Sequence, residues 1–227
     1  MPGMNDIGMK PGYRALLAEI AQMASETSAL TGVETFSPQV MAAMGKVPRH
    51  RFVPVGQEAL ACGNYPLPIG HGQTISQPFI VALMTELLQL NKHARVLEIG
   101  SGCGYQTAVL AELAGQVYSI EIVEPLGRRA ADRLMELGYR NAEVRIGDGY
   151  AGWPEHAPYD AIIVTAAAPH IPQPLLDQLR GGGRMVIPLG EPYLTQELVV
   201  VEKQKMGGLI RSSEILPVSF VPLTGGR

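Results

Sequence analysis

The chain has 227 residues, 46% of them hydrophobic, so it can bury one sizeable core, and we expect a single domain over residues 1–227. Its 18 Lys and Arg residues are balanced by 21 Asp and Glu residues and form no basic stripe, which argues against a nucleic-acid partner. Because the sequence offers neither a signal peptide nor the ~18 consecutive apolar residues of a membrane span, we expect a cytoplasmic protein with no membrane partner.

Two helices are predicted in the N-terminal segment. Residues 13–28 place apolar side chains at helical spacing, and Ser37-Pro38 opens a second, short helix that Pro48 ends. Residues 49–78 then form a Gly- and Pro-rich stretch with few runs that could hold a regular element. A loop of this length is functional or disordered, and its apolar anchors favour an ordered cap or substrate loop. Those anchors are Phe52, Val53, Tyr65, Leu67, Ile69 and Ile75.

The middle of the chain, residues 79–190, alternates strands with helices. The predicted order is helix 79–90, strand 94–99, helix 105–114, strand 116–121, helix 124–137, strand 142–146, strand 160–165, helix 173–180 and strand 184–189. This order is typical of a doubly wound, mostly parallel sheet, and the continuous apolar runs indicate strands buried on both faces. Residues 195–223 give strands without a helix between them, which indicates antiparallel pairing. The sequence therefore predicts an α/β, Rossmann-like fold with an N-terminal helical cap in residues 1–78 and antiparallel strands in residues 191–227.

A glycine-rich turn, Glu98-Ile-Gly-Ser-Gly-Cys-Gly104, follows the first strand of this alternation. Glycines allow a tight turn there and a close approach of the backbone to a ligand at the start of the next helix. The dinucleotide pattern G-x-G-x-x-G would require glycine where Tyr105 stands, so the turn argues against a nicotinamide cofactor. The Glu98 carboxylate would repel a pyrophosphate and attract a cationic ligand. S-adenosylmethionine, which carries an ammonium and a sulfonium group, suits this turn better.

Two further carboxylates follow the next strands. Glu121 ends the second strand about 20 residues after Gly100, the separation at which an acidic side chain meets ribose hydroxyls. Asp148 stands between two glycines after the third strand, where it could accept a hydrogen bond from an adenine amino group. Each residue has a plain structural alternative: Glu98 as the partner of a helix dipole, Glu121 as a surface charge and Asp148 as a turn residue. Together, at three successive strand ends, they predict an S-adenosylmethionine site.

The cysteines and histidines show no metal-site spacing. Cys62 and Cys103 are far apart, and the five histidines are scattered along the chain. We therefore expect free thiols and no metal ion.

Several motifs outside the glycine turn resemble those of the protein-L-isoaspartate (D-aspartate) O-methyltransferase family, whose members repair isoaspartyl residues formed from ageing Asn and Asp. The motifs are Val47-Pro-Arg-His-Arg-Phe-Val-Pro54, Gly72-Gln-Thr-Ile-Ser-Gln-Pro78, the run 96–107, Gly147-Asp-Gly149, the run 160–169 and Val221-Pro-Leu-Thr224. The glycine turn alone is typical of any class I S-adenosylmethionine-dependent methyltransferase, whereas G-x-T-I-S-x-P paired with V-P-L-T is typical of this family. Two features depart from it. Residues 1–46 carry no diagnostic motif, and the sequence stops soon after Thr224, where some relatives continue with a further cofactor contact.

The resemblance implies a role for each matching residue. Ser76 would be the active-site residue, with Thr74, Ile75 and Val221 beside it at the acceptor. The residues implied for the cofactor are Glu98, Gly100, Ser101, Gly102, Glu121, Ile122, Asp148, Gly149 and Thr224. Ser76 has an alternative as a helix N-cap, because Ser76-Gln-Pro-Phe is also an ordinary helix start, and the two roles are compatible.

The implied activity is methyl transfer from S-adenosylmethionine to the α-carboxylate of an isoaspartyl residue, giving a methyl ester and S-adenosylhomocysteine. Such a carboxylate has a pKa of about 3.3–3.7 and is already ionised at neutral pH, so Ser76 would orient it rather than remove a proton. We expect isoaspartyl proteins and peptides as partners and a monomeric enzyme. Two alternatives stay open: a methyltransferase for a small-molecule carboxylate, and a non-catalytic interaction domain that binds S-adenosylmethionine.

Overall fold

The computed structural model describes residues 11–191, 194–205 and 210–225. Its helices are α1 (Pro11–Glu26), α2 (Ser28–Thr31), α3 (Pro38–Lys46), α4 (Pro78–Leu87), α5 (Tyr105–Ala111), α6 (Glu124–Glu136) and α7 (Gln173–Gln178). Its strands are β1 (Leu67–Gly70), β2 (Gln73–Ile75), β3 (Arg95–Ile99), β4 (Gln116–Glu121), β5 (Ala142–Ile146), β6 (Tyr159–Val164), β7 (Leu179–Leu189), β8 (Gln196–Lys203) and β9 (Ile210–Val218). Short 3-10 helices occupy Arg49–Arg51, Glu58–Cys62, Gly149–Ala151 and Pro154–His156.

The main sheet has the strand order β5-β4-β3-β6-β7-β8-β9 in the described part of the chain. Strands β3 to β7 pair in parallel, and β8 and β9 extend the sheet with antiparallel pairs. The α/β prediction, with its mostly parallel sheet and antiparallel edge, is confirmed. The chain moves outward from β3 to β5 and returns to β6 on the other side of β3. Ligands of such sheets bind at the carboxyl ends of the strands where the order reverses, here between β3 and β6.

Two apolar clusters cover the two faces of the sheet, because successive side chains of each strand point to opposite sides. On β3, Val96 belongs to one cluster and Leu97 to the other, and both side chains are fully buried. Helices α1 and α3 to α6 pack on the first face, and α7 packs on the second with Trp153. The continuous apolar runs of the sequence were thus correctly interpreted as strands buried on both sides. None of the described helices is both long and apolar enough to cross a membrane.

Residues 49–78 form an ordered segment, as predicted, but one more regular than the sequence indicates. It contains two short 3-10 helices and an antiparallel hairpin formed by β1 and β2. The prediction of few regular elements was wrong at the hairpin. Its strands are only four and three residues long, and Pro68 interrupts the apolar run of the first one.

The boundary between α7 and β7 also differs from the prediction. The helix ends at Gln178 rather than at residue 180, and the strand begins at Leu179 rather than at residue 184. Leu179 pairs with Tyr159, and the register shifts before the next pair, so the strand accommodates the glycines 181–183 in an irregularity. A run of three glycines is otherwise a signal for a loop.

Candidate active site

The turn between β3 and α5 needs its glycines. Gly100, Gly102 and Gly104 all have positive φ, at 96°, 55° and 88°. A Cβ atom on Gly100 would lie 2.4 Å from Oγ1 of Thr165, so this position has no room for a side chain. The backbone of the turn therefore runs close to the end of β6.

Glu121 ends β4, and its carboxylate is bonded to the glycine turn. Its Oε2 accepts a hydrogen bond from the Gly102 N–H at 2.7 Å, and its Oε1 accepts one from the Val123 N–H at 2.9 Å. The residue is buried, so it is not a surface charge. Each oxygen keeps a lone pair with which it can accept a further hydrogen bond from a ligand.

Glu98 lies on β3 and is fully buried. Its Oε2 accepts hydrogen bonds from Oγ1 of Thr107 at 2.5 Å and from Oγ of Ser119 at 2.6 Å, while its Oε1 makes none to a described residue. Burial raises the pKa of Glu98 to about 7, although the two hydroxyl donors act to lower it. The Ser119 hydroxyl is also 2.5 Å from that of Ser101, which is buried as well. The structure thus places Glu98 and Ser101 in a polar cluster behind the turn.

Asp148 follows β5 at the start of the 3-10 helix Gly149–Ala151. One of its oxygens accepts a hydrogen bond from the Tyr150 N–H at 2.8 Å, so it does act as a turn residue. The side chain is exposed. The C-terminal segment passes close to it, because a Cβ atom on Gly225 would lie 2.2 Å from Oδ1 of Asp148. Asp148 therefore lies between the end of β5 and that segment.

A cavity opens at the carboxyl ends of β3, β4 and β6, and we call it the strand-end cavity. Its lining contains the predicted site residues Thr74, Gly100, Gly102, Glu121, Ile122, Gly149, Val221 and Thr224. Neither Glu98 nor Ser101 nor Asp148 is part of that lining. Sequence reasoning missed Thr165 and Ala166, which follow β6 and also line this cavity. Their position at the end of a predicted buried strand was the signal that could have identified them.

A larger cavity adjoins the first, and we call it the cap cavity. Thr74, Thr165 and Val221 line both cavities. The cap cavity is lined by Met23, Thr27, Leu30, Pro66, Thr74, Ser76, Gln77, Phe79, Ile80, Thr165, Thr195, Leu216, Pro217, Val218, Ser219, Phe220 and Val221. None of these described lining residues carries a charge. Ile75 lines neither cavity, because its side chain is 3% exposed and packs in the core.

Ser76 lies on the wall of the cap cavity, two residues before α4. The helix begins at Pro78, and its N-cap is Gln77, which makes no capping bond with its side chain. The interpretation of Ser76 as the N-cap was therefore wrong, because Pro78 in the first helical position moves the cap one residue along. The Ser76 hydroxyl makes no hydrogen bond to another described residue, whereas its carbonyl accepts one from Nη2 of Arg49 at 3.2 Å.

The segment after β9 runs across both cavities. The Ala167 N–H donates to the Val221 carbonyl at 2.8 Å, and the Leu223 N–H donates to the Ala167 carbonyl at 2.7 Å. These bonds attach residues 221–223 to the segment that follows β6. The structure thus brings Val221 and Thr224 to the same cavity as the glycine turn.

The model of the protein-L-isoaspartate(D-aspartate) O-methyltransferase family matches residues 28–227. Protein-L-isoaspartate O-methyltransferase 1 of Nitrosospira multiformis is 62% identical over 206 residues, which cover 91% of this chain and 87% of that protein. Protein-L-isoaspartate O-methyltransferase 2 of Polaromonas sp. is 58% identical over 212 residues, which cover 93% of this chain and all of that protein.

Two solved structures are also similar to this chain. A protein-L-isoaspartate O-methyltransferase superposes with a TM-score of 0.81 at 27% identity, over 94% of this chain and 66% of that one. A Plasmodium falciparum protein of the same description, in complex with S-adenosyl-L-homocysteine, has a TM-score of 0.74 at 24% identity, over 95% and 99% of the two chains. The second likeness concerns the fold alone. The family match and the sequence identities show that the chain belongs to the protein-L-isoaspartate(D-aspartate) O-methyltransferase family.

Proposed function

We propose that this enzyme transfers the methyl group of S-adenosylmethionine to the α-carboxylate of L-isoaspartyl residues in proteins and peptides, giving a methyl ester and S-adenosylhomocysteine. The observation that carries the proposal is the shared wall of the two cavities. Thr74, Thr165 and Val221 line both, so a cofactor in one cavity and an acceptor in the other would meet there.

The strand-end cavity fits the cofactor in its chemistry. The Glu121 carboxylate can accept hydrogen bonds from ribose hydroxyls while it keeps its two backbone donors. The wall would also include Gly100, Gly102, Ile122, Gly149 and Thr224.

Three predicted cofactor residues would act from the edge of this site or from behind it. Asp148 remains the candidate acceptor for the adenine amino group, because its side chain is exposed beside the C-terminal segment. Glu98 and Ser101 would support the glycine turn through their buried hydroxyl cluster. S-adenosylmethionine supplies a methyl group made electrophilic by its sulfonium.

The cap cavity suits an acceptor that arrives already ionised. An isoaspartyl α-carboxyl group has a pKa of about 3.3–3.7 as a free carboxyl, so no general base is needed near neutral pH. The Ser76 hydroxyl, which bonds no other residue that the structure describes, can donate a hydrogen bond to one carboxylate oxygen and orient the other. Thr74 lines both cavities beside it. None of the described lining residues carries a charge, so no cation among them would compete with the sulfonium for the acceptor carboxylate.

The test is methyl transfer from methyl-labelled S-adenosylmethionine to an isoaspartyl peptide, beside the aspartyl peptide of the same sequence. We expect label in the isoaspartyl peptide and almost none in its control. Equal labelling of both would mean that the enzyme does not select isoaspartate. A small-molecule carboxylate labelled in place of the peptides would favour the first alternative acceptor, and cofactor binding with no transfer would favour a non-catalytic domain.

We also propose that the enzyme works as a monomer in the cytoplasm, without nucleic acid or membrane as partners. The near balance of 18 basic and 21 acidic residues supports the absence of a phosphate-binding surface. Sedimentation equilibrium of the purified enzyme would test the monomeric state, and a dimer mass would contradict it. Fractionation of the cells that express the enzyme would test its location, and activity in the membrane fraction would contradict it.

A further inference from the structure

The guanidinium of Arg49 is fully buried and donates to four backbone carbonyls. Its Nη1 bonds the carbonyls of Ala61 at 3.0 Å and Gly63 at 3.3 Å, and its Nη2 bonds those of Tyr65 at 3.0 Å and Ser76 at 3.2 Å. Three of these carbonyls precede the β1–β2 hairpin, and the fourth follows it. One side chain therefore joins the two ends of the hairpin.

Arg49 has no carboxylate in ion-pair range among the described residues. Its charge is balanced by the carbonyl dipoles and by the ring of Tyr105, whose centroid lies 5.9 Å from Cζ. A buried charge is expensive, and an apolar side chain of similar volume often stabilises a core as well or better. Core stability alone is thus a weak reason for a guanidinium at this place.

The backbone of Arg49 is itself held in place by a buried hydroxyl. The Arg49 N–H donates to the Tyr13 hydroxyl at 2.5 Å, and this hydroxyl donates to the Val47 carbonyl at 2.8 Å. Tyr13 belongs to α1, which packs in the core. Arg49 therefore links the hairpin to helix α1 through Tyr13.

We infer that Arg49 is a positioning residue, which sets Ser76 and the hairpin residue Thr74 at the wall where the two cavities meet. The two terminal nitrogens of the planar guanidinium carry two N–H donors each, in a fixed geometry that matches the two pairs of carbonyls. An ammonium has three donors at a single atom and cannot span the same four acceptors. Arg49 touches neither cavity and acts through the hairpin and Ser76.

This inference rests on the proposed function, in which Ser76 orients the acceptor. The test compares Arg49→Lys and Arg49→Met with Lys203→Met as a matched control. The Lys203 ammonium also donates to backbone carbonyls, those of Leu176 and Leu179 at 2.7 Å each, but these lie on the other side of the sheet from the cap. For each variant, kcat and KM for the isoaspartyl peptide, the Kd of S-adenosylmethionine and the thermal melt are measured.

We expect Arg49→Lys to lower the melt no more than Lys203→Met does, because its ammonium can still donate to up to three of the four carbonyls. The cofactor Kd should stay within ~2-fold, whereas kcat/KM for the peptide should fall by ~10-fold or more because the acceptor loses its orientation. Arg49→Met should lower kcat/KM at least as much. Lys203→Met should lower the melt and leave kcat/KM unchanged. Near-normal kcat/KM in Arg49→Lys would overturn the inference. A loss of cofactor affinity as large as the loss of kcat/KM, or failure of Arg49→Lys to fold, would also overturn it.

Ser76→Ala separates this inference from the proposal on which it rests, because it removes the hydroxyl and keeps the carbonyl that Arg49 binds. Full activity of Ser76→Ala together with a loss in Arg49→Lys would reject the hydroxyl's role and leave Arg49 as the residue that positions the hairpin. A loss in Ser76→Ala with a fully active Arg49→Lys would reject Arg49 alone.

Discussion

The side-chain amide of Gln196 is bonded to both backbone groups of Phe220. The Phe220 N–H donates to Oε1 of Gln196 at 2.7 Å, and Nε2 of Gln196 donates to the Phe220 carbonyl at 3.4 Å. Gln196 is the first residue of β8 and is 1% exposed. It thus holds the segment after β9 as a neighbouring strand would, next to the residues that line both cavities.

Gln196→Leu removes both bonds at nearly constant volume and leaves the Phe220 backbone without its partner. We expect a loss of about 1–3 kcal/mol in the free energy of unfolding and a lower kcat/KM for the isoaspartyl peptide. Chemical denaturation and steady-state kinetics would measure the two effects. Asn141→Leu is the control, because Asn141 also donates to buried backbone, the carbonyls of Ala111 and Ala114, far from the cavities. Equal activity losses in both variants would show that Gln196 has no specific effect on the site.

Ser76→Ala should lower turnover on the isoaspartyl peptide without changing the thermal melt. The hydroxyl caps no helix, so its removal leaves no backbone group unpaired. Ser37→Ala is the matched control, because Ser37 does cap α3 and accepts from the Val40 N–H. That variant also loses the hydrogen bond from the Ser37 hydroxyl to Oε2 of Glu86 at 2.8 Å. It should lose at least about 1 kcal/mol of stability and keep its turnover. A fully active Ser76→Ala would show that the hydroxyl does not orient the acceptor.

Glu121→Ala should weaken the binding of S-adenosylmethionine by about 1–3 kcal/mol, the range for loss of a hydrogen bond to a charged group. The melt should fall as well, since the N–H groups of Gly102 and Val123 lose their acceptor. Titration calorimetry measures the affinity. Glu124→Ala, which removes an exposed carboxylate paired with Arg128, is the control and should bind normally. Unchanged affinity of Glu121→Ala would leave this carboxylate with a structural role alone.

The helices and strands of the main sheet were predictable because their signals are local. Each buried strand is a continuous apolar run, and each crossover carries a helix with its own period. The hairpin of β1 and β2 carries no such local signal, since the side chain that joins its two ends, Arg49, lies well before it in the sequence. The partners of Arg49 are backbone carbonyls, and these leave no pattern of side chains in the sequence.

The site, too, contains residues whose positions were predictable and residues whose positions were not. Glu121 and Gly100 were predictable from their places at strand ends, and they do line the strand-end cavity. The burial of Glu98 was not predictable, because it depends on the register of the parallel pair of β3 and β4. That register puts Ser119 of β4 beside Glu98. The position of Ser76 outside the helix cap depends on where α4 begins, and helix ends are set by the tertiary structure as much as by the local sequence.

Glu98 makes the stability of the enzyme depend on pH. Its pKa rises from 4.5 to about 7 on folding because the carboxyl group is buried. The unfolded chain therefore releases this proton at a lower pH than the folded one. Below about 4.5 the contribution of Glu98 to stability is fully present, and it is lost as the pH rises through about 7.

Glu98→Gln keeps the size of the side chain and removes its titration. A shift of this size corresponds to about 3 kcal/mol, so the variant should gain about 2–3 kcal/mol relative to the parent between pH 5 and pH 8. Denaturant unfolding of both proteins at the two pH values, without cofactor, measures this difference, and the other titrating groups cancel in it. A difference between parent and variant that stays constant with pH would mean that Glu98 ionises in the folded enzyme as it does in the unfolded chain. The hydrogen bonds from Thr107 and Ser119 would then fully offset the cost of burying its charge.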